Sequence, residues 1–311
     1  MKRVAILGAT GYIGKSLMCE FLEAQGDYKL FLFSRSTRTM KNFVKDVSKE
    51  GDCGVHSLDE FGSFKYDVVI NCTGVGDPSL LQKDPANIFT VTEEVDSMII
   101  NYLFKNPKTT YINMSSGAVY GDNFKKPFTE KSNTVLHINA LSPQEYYAIA
   151  KINAEAKHRS LPHLHIVDIR VFAFFSSFVD IKAKFLMSEI AYCIQHKKIF
   201  TTNDENIIRD YSTPKDLFAL VQLILEGEKV NDAFDIYSKK AVSKFELLSF
   251  LEKKYKLQYE IIENSKKGLI VIKKNYSSKN KKAESIGYIP KFTSLQGIEY
   301  EIEKLLTNRK Q

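Results

Sequence analysis

Several classes of protein are set aside by what this chain lacks. Only four of its 311 residues are cysteine, and Cys19, Cys53, Cys72 and Cys193 stand singly, without the spacing of a disulfide framework or a metal site. Free thiols in a reducing compartment are therefore expected, with no metal. Nowhere do about 18 apolar residues run together, the length a membrane-crossing helix needs. Met1-Lys2-Arg3 leads straight into an apolar run, which gives no sign of a cleaved leader. These absences predict a cytoplasmic protein with no membrane partner. There is no internal repeat and no tract of Pro, Gly and Ser that would act as a tether, so any two lobes are expected to pack together.

Charge excludes less. Lysine and arginine number 44 against 37 acidic residues, a formal net charge of +7. Seven of the lysines fall between Lys266 and Lys282, around Tyr276. With few aromatics for base stacking, that stretch predicts a solvated surface and no nucleic-acid partner. The overall composition, 44% hydrophobic and 26% charged, is that of a globular protein able to bury a core.

What the chain does have begins at residue 4. Val4 to Leu7 is apolar, and Gly8, Gly11 and Gly14 follow at intervals of three. A buried strand that breaks into glycines and then a helix suits a parallel sheet covered on both faces. The helix would begin near Tyr12 with its free N–H groups and positive dipole end at the turn, where a pyrophosphate fits. Further strands are predicted at 29–33, near 54–58, at 66–71, 110–114 and 164–174. Helices are predicted at about 92–105 and 143–159. This alternation gives an α/β fold, a Rossmann-like doubly wound parallel sheet that binds ligands at the carboxyl ends of its strands. Beyond residue 175 the rhythm weakens. Helices near 182–196, 214–226, 243–255 and 294–306 and a strand near 233–237 predict a smaller mixed α/β C-terminal substrate lobe. The boundaries expected are 1–175 for the dinucleotide-binding domain, with a returning part near 212–240, and 176–311 for the substrate lobe.

Tyr147 and Lys151 lie four apart in the predicted helix at 143–159 and so share a face. An ammonium near a phenol favours the phenolate. Such a pair can move a proton on or off an alcohol or carbonyl oxygen while a nicotinamide exchanges a hydride. Tyr-x-x-x-Lys also arises by chance in surface helices. Its neighbours decide: Gly8, Gly11 and Gly14, then Ser116 after a strand with Val119-Tyr120-Gly121 behind it, then Pro143 four residues before Tyr147. In these motifs, their order and their spacing the chain resembles the extended short-chain dehydrogenase/reductase family over nearly its whole length. Arg209-Asp210-Tyr211, Phe234 to Tyr237 and Ile286-Gly287-Tyr288-Ile289-Pro290 resemble signatures of its nucleotide-sugar branch of epimerases, dehydratases and reductases.

The resemblance implies catalysis by Ser116, Tyr147 and Lys151. It implies cofactor contacts at Gly8, Thr10, Gly11, Tyr12, Ile13 and Gly14 in the first turn, at Ser34 and Arg35 after the second strand, and at Asp59 and Thr73 farther on, with Tyr147 and Lys151 completing the set. Substrate would touch Ser116, Gly117, Tyr147 and Arg209, the guanidinium gripping a diphosphate. The partners implied are a nucleotide-diphosphate sugar and a second copy of the chain in a homodimer. Relatives that use NAD carry an acidic residue at the end of the second strand, where this chain has Ser34 and Arg35; NADP(H) is favoured and NAD is the alternative. Thr92 stands where relatives usually have Asn. Dehydratases of the family carry acids directly after the catalytic hydroxyl residue, whereas Gly117-Ala118 follow Ser116. What remains is a reductase of a 4-keto-6-deoxysugar or a 4-epimerase that retains its NAD, with a non-catalytic regulatory or RNA-binding relative a distant third.

Overall fold

Val4, Ala5, Ile6 and Leu7 have no exposed surface, because the strand they form is covered on both faces. In the computed structural model, which describes residues 1–24, 26–48, 53–74, 84, 86–121, 124–263 and 274–307, this strand β1 (Lys2–Leu7) lies within a seven-stranded sheet. The other strands in it are β2 (Tyr28–Phe33), β3 (Cys53–His56), β4 (Val68–Asn71), β5 (Thr110–Ser116), β6 (Ile166–Val171) and β11 (Asp232–Asp235), in the order β11-β6-β5-β4-β1-β2-β3. Every pairing is parallel. The order reverses at β1, and a crevice opens there at the carboxyl ends of β1 and β4.

Alternate residues of β1 serve opposite layers, as a two-residue period requires. Val4 and Ile6 join a cluster with Leu17, Met18 and Phe21 of α1 (Tyr12–Glu23) and Leu217, Leu220 and Val221 of α6 (Pro214–Glu226). Ala5 and Leu7 face the other way, towards Val95, Ile99 and Leu103 of α3 (Ala86–Lys105). Beside α3 packs α4 (Pro143–Arg159), which starts in a capping box: Ser142 and Glu145 satisfy one another's ends, and Pro143 loses no needed N–H.

A third cluster, which includes Ile190, Leu248 and Ile298, gathers α5 (Leu186–His196), α7 (Lys244–Tyr255) and α8 (Ser294–Thr307). Short strands frame it. β7 (Ala173–Phe174) pairs with β10 (Tyr211–Ser212), and β8 (Phe200–Asn203) with β13 (Tyr259–Ile262). β9 (Ile208–Arg209) lies between β12 (Val242–Ser243) and β14 (Asn275–Tyr276).

Several boundaries depart from the sequence reading. Leu164–Phe174 is not one strand; it divides after Val171, and β7 leaves the main sheet to pair with β10. The helix expected from Thr92 begins at Ala86. A helix the sequence reading omitted, α2 (Thr37–Val47), follows β2, its start capped by the Ser36 hydroxyl accepting from Thr39 N–H. The lysine-rich stretch is solvated only in part where it is described: Lys274, Lys279 and Lys281 are exposed, but Tyr276, Ser277, Ser278 and Asn280 between them are buried, Lys282 pairs with Asp232 and the Lys281 ammonium sits over the Tyr237 ring. Residues 266–273 of that stretch lie outside the described residues. No described helix is long and apolar enough to cross a membrane.

Candidate active site

Gly8 ends β1 with φ +72°, a conformation that side chains strain. A Cβ there would lie 2.8 Å from the Cys72 carbonyl carbon, and one on Gly14 would lie 2.4 Å from the Gly8 carbonyl oxygen. The three glycines let two strands and a helix meet at one point. Gly11 N–H bonds to the Gly8 carbonyl (2.9 Å) and closes the turn, and Gly11 serves as the N-cap of α1 without a side chain of its own.

An open cleft follows, lined by Gly8, Thr10, Gly11, Ser34, Arg35, Leu58, Cys72, Thr73 and Gly74. Its shape and donors suit a dinucleotide. The N-terminus of α1 points a row of backbone N–H groups at it. Among the described residues the buried Ser34 hydroxyl has no hydrogen-bond partner, an orphaned group of the kind a ribose hydroxyl or phosphate would satisfy. Arg35 stands exposed at the rim.

Not every expected contact uses its side chain. Tyr12 turns away: its phenol accepts from Ser176 N–H (2.5 Å), its ring meets Phe174 edge-on (centroids 5.2 Å), and burial pushes its pKa up, so only its backbone N–H faces the cleft region. Ile13 packs against the hydrophobic cluster beneath α1. Asp59 is exposed on a short 3₁₀ turn, and its neighbour Leu58 supplies the lining. Thr73 is held by Asn71, whose side-chain oxygen accepts from the Thr73 N–H (3.0 Å) and hydroxyl.

The cleft continues into the proton chemistry. A Cβ on Gly74 would lie 3.7 Å from the Lys151 ammonium. Lys151 is buried, donates to the Met114 carbonyl (2.8 Å) and lies 6.0 Å from the centroid of the Tyr147 ring. The pair shares one face of α4, as the four-residue spacing requires, with the ammonium anchored to β5. Two residues beyond Met114 is Ser116, buried at the end of the same strand, whose hydroxyl accepts from Ala118 N–H (3.2 Å). At Gly117 a Cβ would lie 2.4 Å from the Phe172 ring.

Across from Ser116 stands a residue the sequence reading did not single out. The Tyr276 phenol lies 3.1 Å from the Ser116 hydroxyl, buried between Phe124 and Phe172 (centroids 5.8 and 5.1 Å), and burial pushes its pKa up. Both Tyr147 and Arg209 lie near it, Arg209 in register on the adjacent strand. Arg209, half-buried, donates to the Ile208 carbonyl (2.7 Å), and burial lowers its pKa. Thus Tyr276 links Ser116, at 3.1 Å, to Arg209, its partner in strand register, while Lys151 and Tyr147 pair on α4 beside the cleft. Nothing local in sequence marks Tyr276, because it meets Ser116 across a separation of 160 residues in the chain.

Beneath the cleft lies a buried polar lattice. His158 bridges Asp96 (Nε2 to Oδ1, 2.8 Å) and Asp168 (Nδ1 to Oδ1, 2.9 Å). Lys157 flanks Asp96 and Arg159 flanks Asp168, at 2.5 and 2.7 Å. The Asn113 amide donates to Asp168 (2.7 Å), and the Asn71 amide donates to Asn113 (3.4 Å) and to the Tyr111 phenol (3.1 Å). Since Asn71 also holds Thr73, the lattice reaches the cleft wall.

No curated protein matches the sequence. Solved structures do match in fold. The chain is similar to the dTDP-glucose 4,6-dehydratase of Bacillus anthracis, a structure in complex with NAD (TM-score 0.79, 16% identity, covering 100% of this chain and 98% of that one). It is similar to the UDP-glucuronic acid 4-epimerase of Bacillus cereus, in complex with UDP-glucuronic acid and NAD (0.80, 18%, 98% and 99%). The UDP-glucose 4-epimerase of Thermotoga maritima, with UDP-glucose, is alike to the same degree (0.80, 17%, 99% and 100%). The model of the NAD dependent epimerase/dehydratase family matches residues 4–238, from the first strand through the glycine turn, Ser116, Tyr147, Lys151 and Arg209, and the chain belongs to that family.

Proposed function

We propose that the protein reduces a nucleotide-diphosphate 4-keto-6-deoxysugar to the 4-hydroxy sugar with NADPH. One observation carries this reading: β2 is followed by Ser34, whose buried hydroxyl has no partner among the described residues, and by exposed Arg35, with no carboxylate at either position to repel a ribose 2′-phosphate. The glycine turn and the α1 N-terminus would hold the pyrophosphate, Ser34 and Arg35 the adenosine ribose and its phosphate, and Lys151 the nicotinamide ribose. When bound, the nicotinamide supplies the hydride that reaches C4. Tyr147 gives its phenolic proton to the C4 oxygen, so carbonyl, hydride and proton together make the alcohol, and the phenol recovers a proton from solvent. Ser116 donates a hydrogen bond to that oxygen as charge builds on it. Arg209 grips the diphosphate and sets the distance from nucleotide to sugar. Gly117 argues against dehydration, since an acid there would collide with Phe172.

A second reading, a 4-epimerase that retains NAD, draws support from the Bacillus cereus neighbour, an epimerase whose structure contains NAD. It uses the same residues twice, once in each direction. Both readings place the protein in the cytoplasm as a homodimer joined through α3 and α4, with no nucleic acid.

The test is a panel of dTDP- and UDP-linked 4-keto-6-deoxysugars assayed with NADPH and NADH by nicotinamide absorbance. Stoichiometric NADPH consumption, with a preference that weakens in Arg35→Ala, supports the reductase. Protein that purifies with tightly bound NAD and interconverts two 4-hydroxy sugars without net cofactor loss overturns it in favour of the epimerase.

A further inference from the structure

We propose that Tyr276 is a positioning residue: it donates to the Ser116 hydroxyl and leaves that serine a single way to act, as a donor toward the reacting oxygen. The inference rests on the reading of Ser116 given above, and it holds for reductase and epimerase alike.

A serine hydroxyl has one hydrogen and two lone pairs. At Ser116 one lone pair is taken by Ala118 N–H at 3.2 Å, and the Tyr276 phenol stands 3.1 Å away. Two arrangements are possible. If Ser116 gave its hydrogen to Tyr276, it would have none for substrate. If Tyr276 donates, both lone pairs are filled and the serine hydrogen must point elsewhere. Burial between Phe124 and Phe172 keeps the phenol protonated, so it has a proton to donate, and the second arrangement is the one that leaves the serine hydrogen free for substrate. A serine so held is pre-oriented before substrate arrives, the condition under which a hydrogen-bond donor lowers a barrier rather than merely binding.

The strand pairing adds a second consequence. β14 runs parallel to β9 with Tyr276 in register with Arg209. The residue that orients the serine and the residue expected to hold the diphosphate are therefore neighbours on adjacent strands of one small three-stranded sheet. Seating the diphosphate steadies β9, and through it the phenol opposite Ser116. This ties recognition of the nucleotide to readiness at the sugar carbon.

A double-mutant cycle separates orientation from packing. Tyr276→Phe, Ser116→Ala and the double variant are assayed with NADPH and a dTDP-4-keto-6-deoxysugar, and with UDP-glucose in the epimerase direction. Calorimetric binding of UDP and the thermal midpoint serve as readouts independent of turnover. The expected result is a fall in kcat of about 10- to 100-fold for Tyr276→Phe, with KM within about threefold. Ser116→Ala should lose about 10²–10³-fold. The double variant should be no worse than Ser116→Ala alone, since the phenol acts only through the serine. Losses that multiply overturn the proposal and leave the reading of Ser116 intact. So does a drop in UDP affinity for Tyr276→Phe as large as that for Arg209→Ala, which would make Tyr276 a prop for the strand pair. A Ser116→Ala variant with wild-type kcat overturns the reading of Ser116 and the proposal together. Should no nucleotide sugar turn over, unchanged UDP binding and midpoint in Tyr276→Phe still support an orienting role, and a lowered midpoint with weakened UDP overturns it.

Discussion

Replacing His158 by Gln should make the protein's stability respond differently to pH. The imidazole is wholly buried, with its two nitrogens on Asp96 and Asp168. Burial opposes its charge, but the hydrogen bonds to Asp168 and Asp96, and then their negative charges, outweigh that and raise it from the ordinary 6.5 to about 9. A histidine whose folded pKa is raised stabilises fully below its unfolded value, and that stabilisation drains away as pH rises from 6.5 through about 9. At roughly 1.4 kcal/mol per pH unit of difference, the window is worth on the order of 3 kcal/mol. Gln cannot titrate and leaves two buried carboxylates facing each other, with Lys157 and Arg159 as their remaining cations. Loss of one member of such a pair costs about 3–5 kcal/mol while the pair is charged. The deficit of His158→Gln should thus be largest near pH 6 and shrink by about 3 kcal/mol towards pH 9. Urea unfolding of wild type and variant, followed by tyrosine fluorescence from pH 6 to 9, measures it. Parallel curves across that range would show that the imidazole is not charged in the folded protein and refute the reasoning.

Tyr147→Phe should lose at least about 10²-fold in kcat while cofactor still binds, because one oxygen leaves and the ring stays; retention of more than about a tenth of the activity would remove Tyr147 as the acid. Arg209→Ala should raise KM for the nucleotide sugar about 10- to 100-fold, the worth of a charge-assisted hydrogen bond, and free UDP should inhibit it correspondingly less; equal inhibition of both proteins would reduce Arg209 to a structural residue. Gly14→Ala places a methyl 2.4 Å from the Gly8 carbonyl oxygen, so α1 must shift. A lowered thermal midpoint and weaker dinucleotide binding by fluorescence titration are expected, and wild-type values in both would show that the turn has slack.

The parts of this site that could be read in the sequence are those whose geometry is local. Gly8, Gly11 and Gly14 announce a strand-to-helix turn because all three lie within one turn of chain, and Tyr147 with Lys151 share a helix face by spacing alone. Ser116 needed the strand before it. The rest is set by pairings far apart in the chain. Tyr276 meets Ser116 across a separation of 160 residues in the chain, and its lysine-rich surroundings suggest a wet surface instead. The lining by Leu58 in place of Asp59 depends on which way a 3₁₀ turn faces, and the side chain of Tyr12 is drawn off by Ser176, distant in sequence. His158 reads as an ordinary helical residue until Asp96 and Asp168 arrive from α3 and β6.

Phe172 constrains what this chain can become. Its ring fills the space a side chain at 117 would need, and it is also part of the aromatic wall that seats Tyr276. An acid at 117, the change that would open a route to eliminating water, therefore has to arrive together with a smaller residue at 172. That second change on its own loosens the phenol opposite Ser116. Each step alone damages the present chemistry before it offers the new one. On the reductase reading, conversion to a dehydratase therefore crosses a valley, and a laboratory attempt at it should begin from paired libraries at 117 and 172 rather than from either position singly.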